Sequence, residues 1–174
     1  MSIEIIPDVF TADFTGEPGQ RAFFLQARSS ADLLSFAVEK QQVQVLAEKL
    51  KEMLILIDQE DTIMASMPER DPALGLREPV EPQWQVGTIG LAYDESEDRV
   101  LVVLHPTGDE DEEEEEPDED EGVRVLLRRD QVRTFTLHAE AVLGEGRPLC
   151  QLCGLPMDPA GHLCPASNGH HVEI

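Results

Sequence analysis

Two distant stretches of this chain lie on one another without a gap: Val38-Glu-Lys-Gln-Gln-Val43 on Leu127-Arg-Arg-Asp-Gln-Val132. The match continues at helical spacing, with Leu46 meeting Phe135, Leu50 meeting Ala139 and Leu54 meeting Leu143. Upstream, Arg21-Ala-Phe-Phe-Leu25 meets Arg99-Val-Leu-Val-Val103. A shared register at a strand-helix junction, followed by matching apolar positions, marks an internal repeat. It constrains the fold strongly, because the same local structure must form twice and both apolar faces must be buried.

Alternation of apolar residues and turn chemistry predict strands over residues 8–15, 21–28 and 33–38, then a helix from Glu39 to about Asp58. In that helix Val43, Leu46, Leu50, Met53, Leu54 and Ile57 share one face, while Gln42, Gln44, Glu48, Lys49 and Glu52 share the other. Residues 67–83 carry four prolines among charges and read as a linker. Strands at 85–93, 99–105 and 122–128 and a helix at 130–143 follow, with Val132, Phe135, Ala139 and Val142 as its apolar face. The fold class expected is α+β: two β-β-β-α repeats forming antiparallel sheet, two amphipathic helices, and a small C-terminal zinc knuckle. The body is residues 1–145, with repeats at 8–60 and 84–144, and the tail is 146–174.

The formal net charge is −23, from 36 acidic and 13 basic residues. Residues 109–121 are acidic at every position except Pro117, and removing their twelve charges leaves −11. The body is therefore repelled by phosphate backbones and anionic lipid, which argues against nucleic acid and membranes as partners. The acidic run falls between the second and third strands of the second repeat, where the first repeat has a short turn. A self-repelling block of this kind is expected to be a disordered surface insertion; a nucleic-acid mimic or a docking tail for a basic partner are its functional readings. The start of the chain has no basic, apolar export signal, no apolar run reaches membrane length, and three clustered cysteines fit a reducing cytoplasm.

Those cysteines are the most specific chemistry present. Cys150 and Cys153, followed by Gly154, put two thiolates on one turn, and Cys164 supplies a third. For the fourth ligand His162 is preferred, since in an extended segment it points the same way as Cys164; His170 or His171, a water and the distant His138 are the alternatives. Four protein ligands imply one structural zinc per chain. Phosphate-loop, nucleophile-elbow and His-Glu-x-x-His signatures are missing. Gly87-Thr-Ile-Gly90 reads as small residues for close strand packing, Trp84 and Tyr93 as packing aromatics, and His105 as a solvated strand end. The arginines Arg124, Arg128, Arg129 and Arg133 either gather as an anion site or neutralise the acidic run.

The stretches Gly146-Arg-Pro-Leu-Cys-Gln-Leu-Cys-Gly154, Asp158-Pro-Ala-Gly-His-Leu-Cys-Pro165, Phe10-Thr-Ala-Asp-Phe-Thr-Gly16 and Gly87-Thr-Ile-Gly-Leu-Ala-Tyr93 resemble an actinobacterial family of conserved hypothetical proteins, a domain of unknown function. The resemblance implies a cytoplasmic bacterial protein, often encoded near a histidine-phosphatase-like and a kinase-like protein, with Cys150, Cys153, His162 and Cys164 as metal residues. The long acidic run and the ending His170-His-Val-Glu-Ile174 depart from the family pattern. Function is accordingly expected to be that of a zinc-binding, non-enzymatic binding or adaptor module with a protein partner. The alternative is an enzyme acting on a small phosphorylated or amide ligand in a groove between the repeats, and nucleic-acid binding is the third reading.

Overall fold

The computed structural model describes residues 3–17, 19–108 and 122–144. The cysteines and the histidines 162, 170 and 171, together with the acidic run, lie outside these residues. The elements are β1 (Ile3–Ile5), β2 (Val9–Thr15), β3 (Ala22–Arg28), β4 (Leu33–Val38), α1 (Lys40–Ile57), β5 (Pro82–Asp94), β6 (Arg99–Pro106), β7 (Val123–Leu127) and α2 (Arg129–Gly144), with short 3₁₀ turns at Ile63–Ala65 and Pro72–Leu74. The class is α+β, and the order strand-strand-strand-helix occurs twice, as β2-β3-β4-α1 and β5-β6-β7-α2.

All seven strands form one sheet in the order β1-β7-β6-β5-β4-β3-β2. Each half is an antiparallel meander, but the sheet as a whole is mixed. β4 runs parallel to the start of β5, through Ser35 with Pro82 and Ala37 with Gln85, and β1 runs parallel to β7. The parallel pairs and β1 itself were not expected from sequence. β1 is too short to show a period of two, and Pro82 argues locally against a strand.

The connection between β1 and β2 dictates the curvature of this sheet. Six strand spacings would put the edges of a flat sheet about 29 Å apart, whereas the three residues Ile6, Pro7 and Asp8 let the chain reach only about 14 Å. The sheet must therefore curl like a barrel, with its seam between β1 and β2. β5 behaves as β1 and β2 together do: it begins beside the third strand of the other half and, from Val86, continues beside its own second strand. Residues 3–15 differ in being interrupted at Pro7.

The rows Phe23, Leu25, Ala27 and Val100, Val102, Leu104 are buried at equivalent places in the two halves. Taking Val38 with Leu127, the strand pairings set Phe23 with Val100, one residue away from the upstream sequence overlay that set Ala22 there. A one-residue slip exchanges the faces of a strand, and here both overlays look apolar because Phe23 and Phe24 are adjacent. Both helices contribute to one core: Val43, Leu46, Leu50 and Leu54 from α1, and Val132, Phe135, Ala139 and Val142 from α2. Phe135 stacks on Phe10 with ring centroids 4.9 Å apart.

The proline-rich segment is a strap and not a free spacer. Asp71 caps the Pro72–Leu74 turn, Leu74 is buried, and Gln26 exchanges two hydrogen bonds with the backbone of Arg77, accepting from its N–H at 2.8 Å and donating to its carbonyl at 3.0 Å. Thr11 donates to the Leu74 carbonyl, and Arg28 donates to the carbonyls of Ala73 and Gly75. Linker composition marks absence of helix or strand periodicity; it does not mark absence of contact.

Candidate functional site

The start of α1 is tied to β5 by Gln42. Its amide oxygen accepts the Glu39 N–H at 2.8 Å, while its amide nitrogen donates to the carbonyls of Val86 at 3.0 Å and Gly87 at 3.3 Å. Val86 and Gly87 sit where β5 leaves β4 and joins β6, a point at which strand carbonyls lack a regular ladder partner. Gly87 is required there, since a Cβ would stand 2.8 Å from Thr107 Cα and 2.9 Å from the Pro106 carbonyl oxygen. Close packing thus explains Gly87. Gly90 has ordinary room, its nearest neighbour being Val103 at 3.8 Å.

Beyond this tie, α1 and β5 enclose a groove of about 520 Å3. Val45, Leu46, Ile89 and Leu91 make its apolar surface, and Glu39, Gln41, Gln42 and Lys49 add polar groups. Val45 is 46% exposed, whereas Val43, Leu46, Ala47, Leu50 and Leu54 of the same helix are buried. The volume falls within the range of small-ligand and side-chain sites. α1 comes from the first half of the chain and β5 from the second, so the groove lies between the halves.

The equivalent space at α2 and β2 is filled. There Phe135 and Phe10 take the places of Leu46 and Ile89, and residues 61–71 run along α2. Arg133 bonds Asp61, Thr62 and Ser66; the Glu69 N–H donates to the Leu137 carbonyl at 3.2 Å; and the Asp71 N–H donates to His138 Nδ1 at 3.0 Å. Since Nδ1 accepts, Nε2 carries the imidazole proton and donates to Asp13 Oδ2 at 3.1 Å. Arg70 closes the cluster with contacts of 2.9 and 3.0 Å to the two Asp13 oxygens. Burial pushes the Asp13 carboxyl up, but hydrogen bonds from His138 and the Phe14 N–H, together with the Arg70 charge, outweigh it and hold the carboxyl below its ordinary value.

His138 and Asp13 are both buried, and both imidazole nitrogens are engaged. Hence His138 is not available as the distant fourth zinc ligand. The cluster locks the strap against α2 and β2; no signal in the sequence joined residues as far apart as Asp13, Arg70 and His138.

The four arginines do not converge on an anion. Arg124 lies 3.7 Å from Glu4, Arg128 3.0 Å from Asp130 and Arg129 2.9 Å from Asp98, and Arg133 pairs with Asp61. Tyr93 also donates to Asp98, and its hydrogen bond, with that of Arg129, holds the Asp98 carboxyl low. Trp84 packs on Phe36 at 4.8 Å. At His105, which ends a strand, Nδ1 is buried and has no hydrogen-bond partner among the described residues; it lies against the space a Gly122 Cβ would take. Among the described residues no three His, Cys, Asp or Glu side chains gather to hold a metal, and no helix is long and apolar enough to cross a membrane.

The family described as Protein of unknown function (DUF3090) matches residues 5–164. The chain belongs to that family. The DUF3090 match spans the groove, the Asp13–His138 cluster, the acidic run and the residues Cys150, Cys153, His162 and Cys164, and it leaves His170 outside. No curated protein and no solved structure matches the chain.

Proposed function

We propose that this DUF3090 chain is a cytoplasmic, non-enzymatic binding module, built by duplication of a β-β-β-α unit, that engages a partner protein through the groove between α1 and β5. The observation that carries the reading is the groove itself: apolar surface remains open at α1 and β5 while the equivalent space at α2 and β2 is filled by the chain's own residues. Open apolar surface bordered by polar groups is characteristic of recognition sites. The buried Asp13–His138 pair, by contrast, presents no reactive atom to a substrate.

A second part of the proposal concerns zinc. Cys150, Cys153 and Cys164 with His162 make a closed Cys₃His set, supported by ligand spacing, and a closed set gives the ion a structural role. His170 is the alternative fourth ligand.

Affinity capture with the intact chain tests the groove. A partner held there is retained by wild type and by Ala92→Lys, on the opposite row of β5, and lost with Val45→Glu. Equal retention by all three would reject the groove as the binding site.

A further inference from the structure

Resting on the groove reading, we infer that its partner is a Lys/Arg-rich protein segment carrying one apolar side chain that enters between Val45 and Ile89. Two independent observations lead there. The first is the apolar surface of Val45, Leu46, Ile89 and Leu91, large enough for one aliphatic or aromatic side chain. The same place between α2 and β2 is occupied by a ring, Phe135 on Phe10. The second is charge. Gly87, at one end of the groove, lies against Thr107 and Pro106, so the chain passes Gly87 just before it enters the acidic run, and it returns at Gly122.

A run carrying twelve negative charges thereby begins two residues after Thr107, which lies against Gly87. Exposed charges act over about 8 Å at physiological salt, and a concentration of one sign attracts opposite charge and repels its own. The charge of −11 on the rest of the chain works in the same direction. Lys49, the positive group of the groove lining, lies 3.4 Å from Glu52, so the pair brings no net positive charge to the groove. Apolar contact then supplies the anchor, and the run supplies the preference for a basic carrier. The site is the groove; the run acts on it through its field.

Fluorescence anisotropy with the full chain and four short fluorescein-labelled peptides tests this. One peptide is Lys/Arg-rich with a single Phe, the second has Ser in place of Phe, the third is Asp/Glu-rich with the Phe, and the fourth is uncharged with the Phe. The first is expected to bind at least about tenfold more tightly than the others, equivalent to about 1.4 kcal/mol, and to weaken between low and physiological salt. Val45→Lys and Val45→Glu both remove the apolar contact, but the lysine variant should lose more affinity for the basic peptide. Replacing residues 109–121 with a short Gly-Ser turn should bring the basic and uncharged Phe peptides together.

If the uncharged or acidic Phe peptide binds as tightly as the basic one and is lost with Val45→Glu, the charge inference falls and the groove reading stands. If the basic peptide binds equally with Phe or Ser and ignores Val45, attraction to the run alone explains it and the inference falls. If no peptide binds and Val45→Glu leaves partner capture unchanged, both fall.

Discussion

Gln42 and Gln131 do the same work in the two halves of the molecule. Gln42 accepts the N–H of Glu39 and donates to the carbonyls of Val86 and Gly87; Gln131 accepts the N–H of Arg128 at 2.9 Å and donates to the carbonyls of Pro7 at 2.8 Å and Asp8 at 3.3 Å. Each side chain thus satisfies a free donor at its helix start and two carbonyls where a strand changes partners. Because Gln131 belongs to α2 and Pro7 to the β1–β2 connection, the second tie also draws the seam of the curled sheet onto a helix. The first leaves the groove beside it.

Burial separates the two ties energetically. Gln131 is 8% exposed, whereas Gln42 is half-buried. Gln131→Ala removes the donor from the buried Pro7 carbonyl and should cost about 1–3 kcal/mol, while Gln42→Ala should cost about 0.5–1.5 kcal/mol because water can replace the amide. Urea denaturation of the two variants gives the comparison; a larger loss at Gln42 would contradict this account.

Asp13 makes stability depend on acid. Its carboxyl is held below the ordinary value of about 3.9, so its contribution is fully present above that value and lost as pH falls through the lower folded value. Asp13→Ala should remove this component of the pH dependence and cost about 1–3 kcal/mol at neutral pH, because the buried His138 Nε2–H loses its acceptor. Thermal melts from pH 2 to about pH 7 should show a shallower acid limb in the variant; an unchanged limb would show that other groups govern it.

Core truncations should agree with equivalent burial. Leu46→Ala and Phe135→Ala should each cost about 2–5 kcal/mol, and the exposed Gln44→Ala should be nearly neutral. Arg133, by contrast, holds Asp61, Thr62 and Ser66 of the strap. Helix position alone makes Arg133→Ala look neutral, but the structure raises its expected cost to about 1 kcal/mol. Chemical denaturation measures all four, and a uniform small effect would reject the common core.

Exchange of residues 109–121 for a Gly-Ser turn should change stability by no more than about 1 kcal/mol, since loop-closure entropy varies slowly with length. The run leaves at Gly108 and returns at Gly122, beside the paired strands β6 and β7. Calorimetry would detect a larger loss, which would mean that the acidic residues support the body directly.

Purified, reduced protein should carry one zinc, measured by elemental mass spectrometry. His162→Ala should sharply weaken retention against a chelator and His170→Ala should not; the reverse result would reassign the fourth ligand. Chelation should leave the main thermal transition in place, because every core residue precedes the cysteines in the chain and none is a nominated metal ligand. Protein without zinc would refute the site.

Local pattern determined much of the architecture. The period of two in 123–127 and the helical period from Val43 to Leu54 name their elements because each strand or helix must bury one face, and residues at fixed spacings share that face. Recurrence of Gln42 and Gln131 at the same overlaid position was visible as well, although their hydrogen bonds were not. Sequence alone also set the acidic net charge and placed three thiols at metal spacing. Tertiary structure decided what depends on chain closure: the parallel pairs of β1 with β7 and β4 with β5, the burial of Asp13 against His138, and the wrapping of the proline-rich strap. It also decided that α2 is filled on its β2 side while α1 keeps a groove beside β5. Such pairings join residues dozens of positions apart, and no local periodicity records them, because their energy exists only once the sheet has curled and brought its ends together.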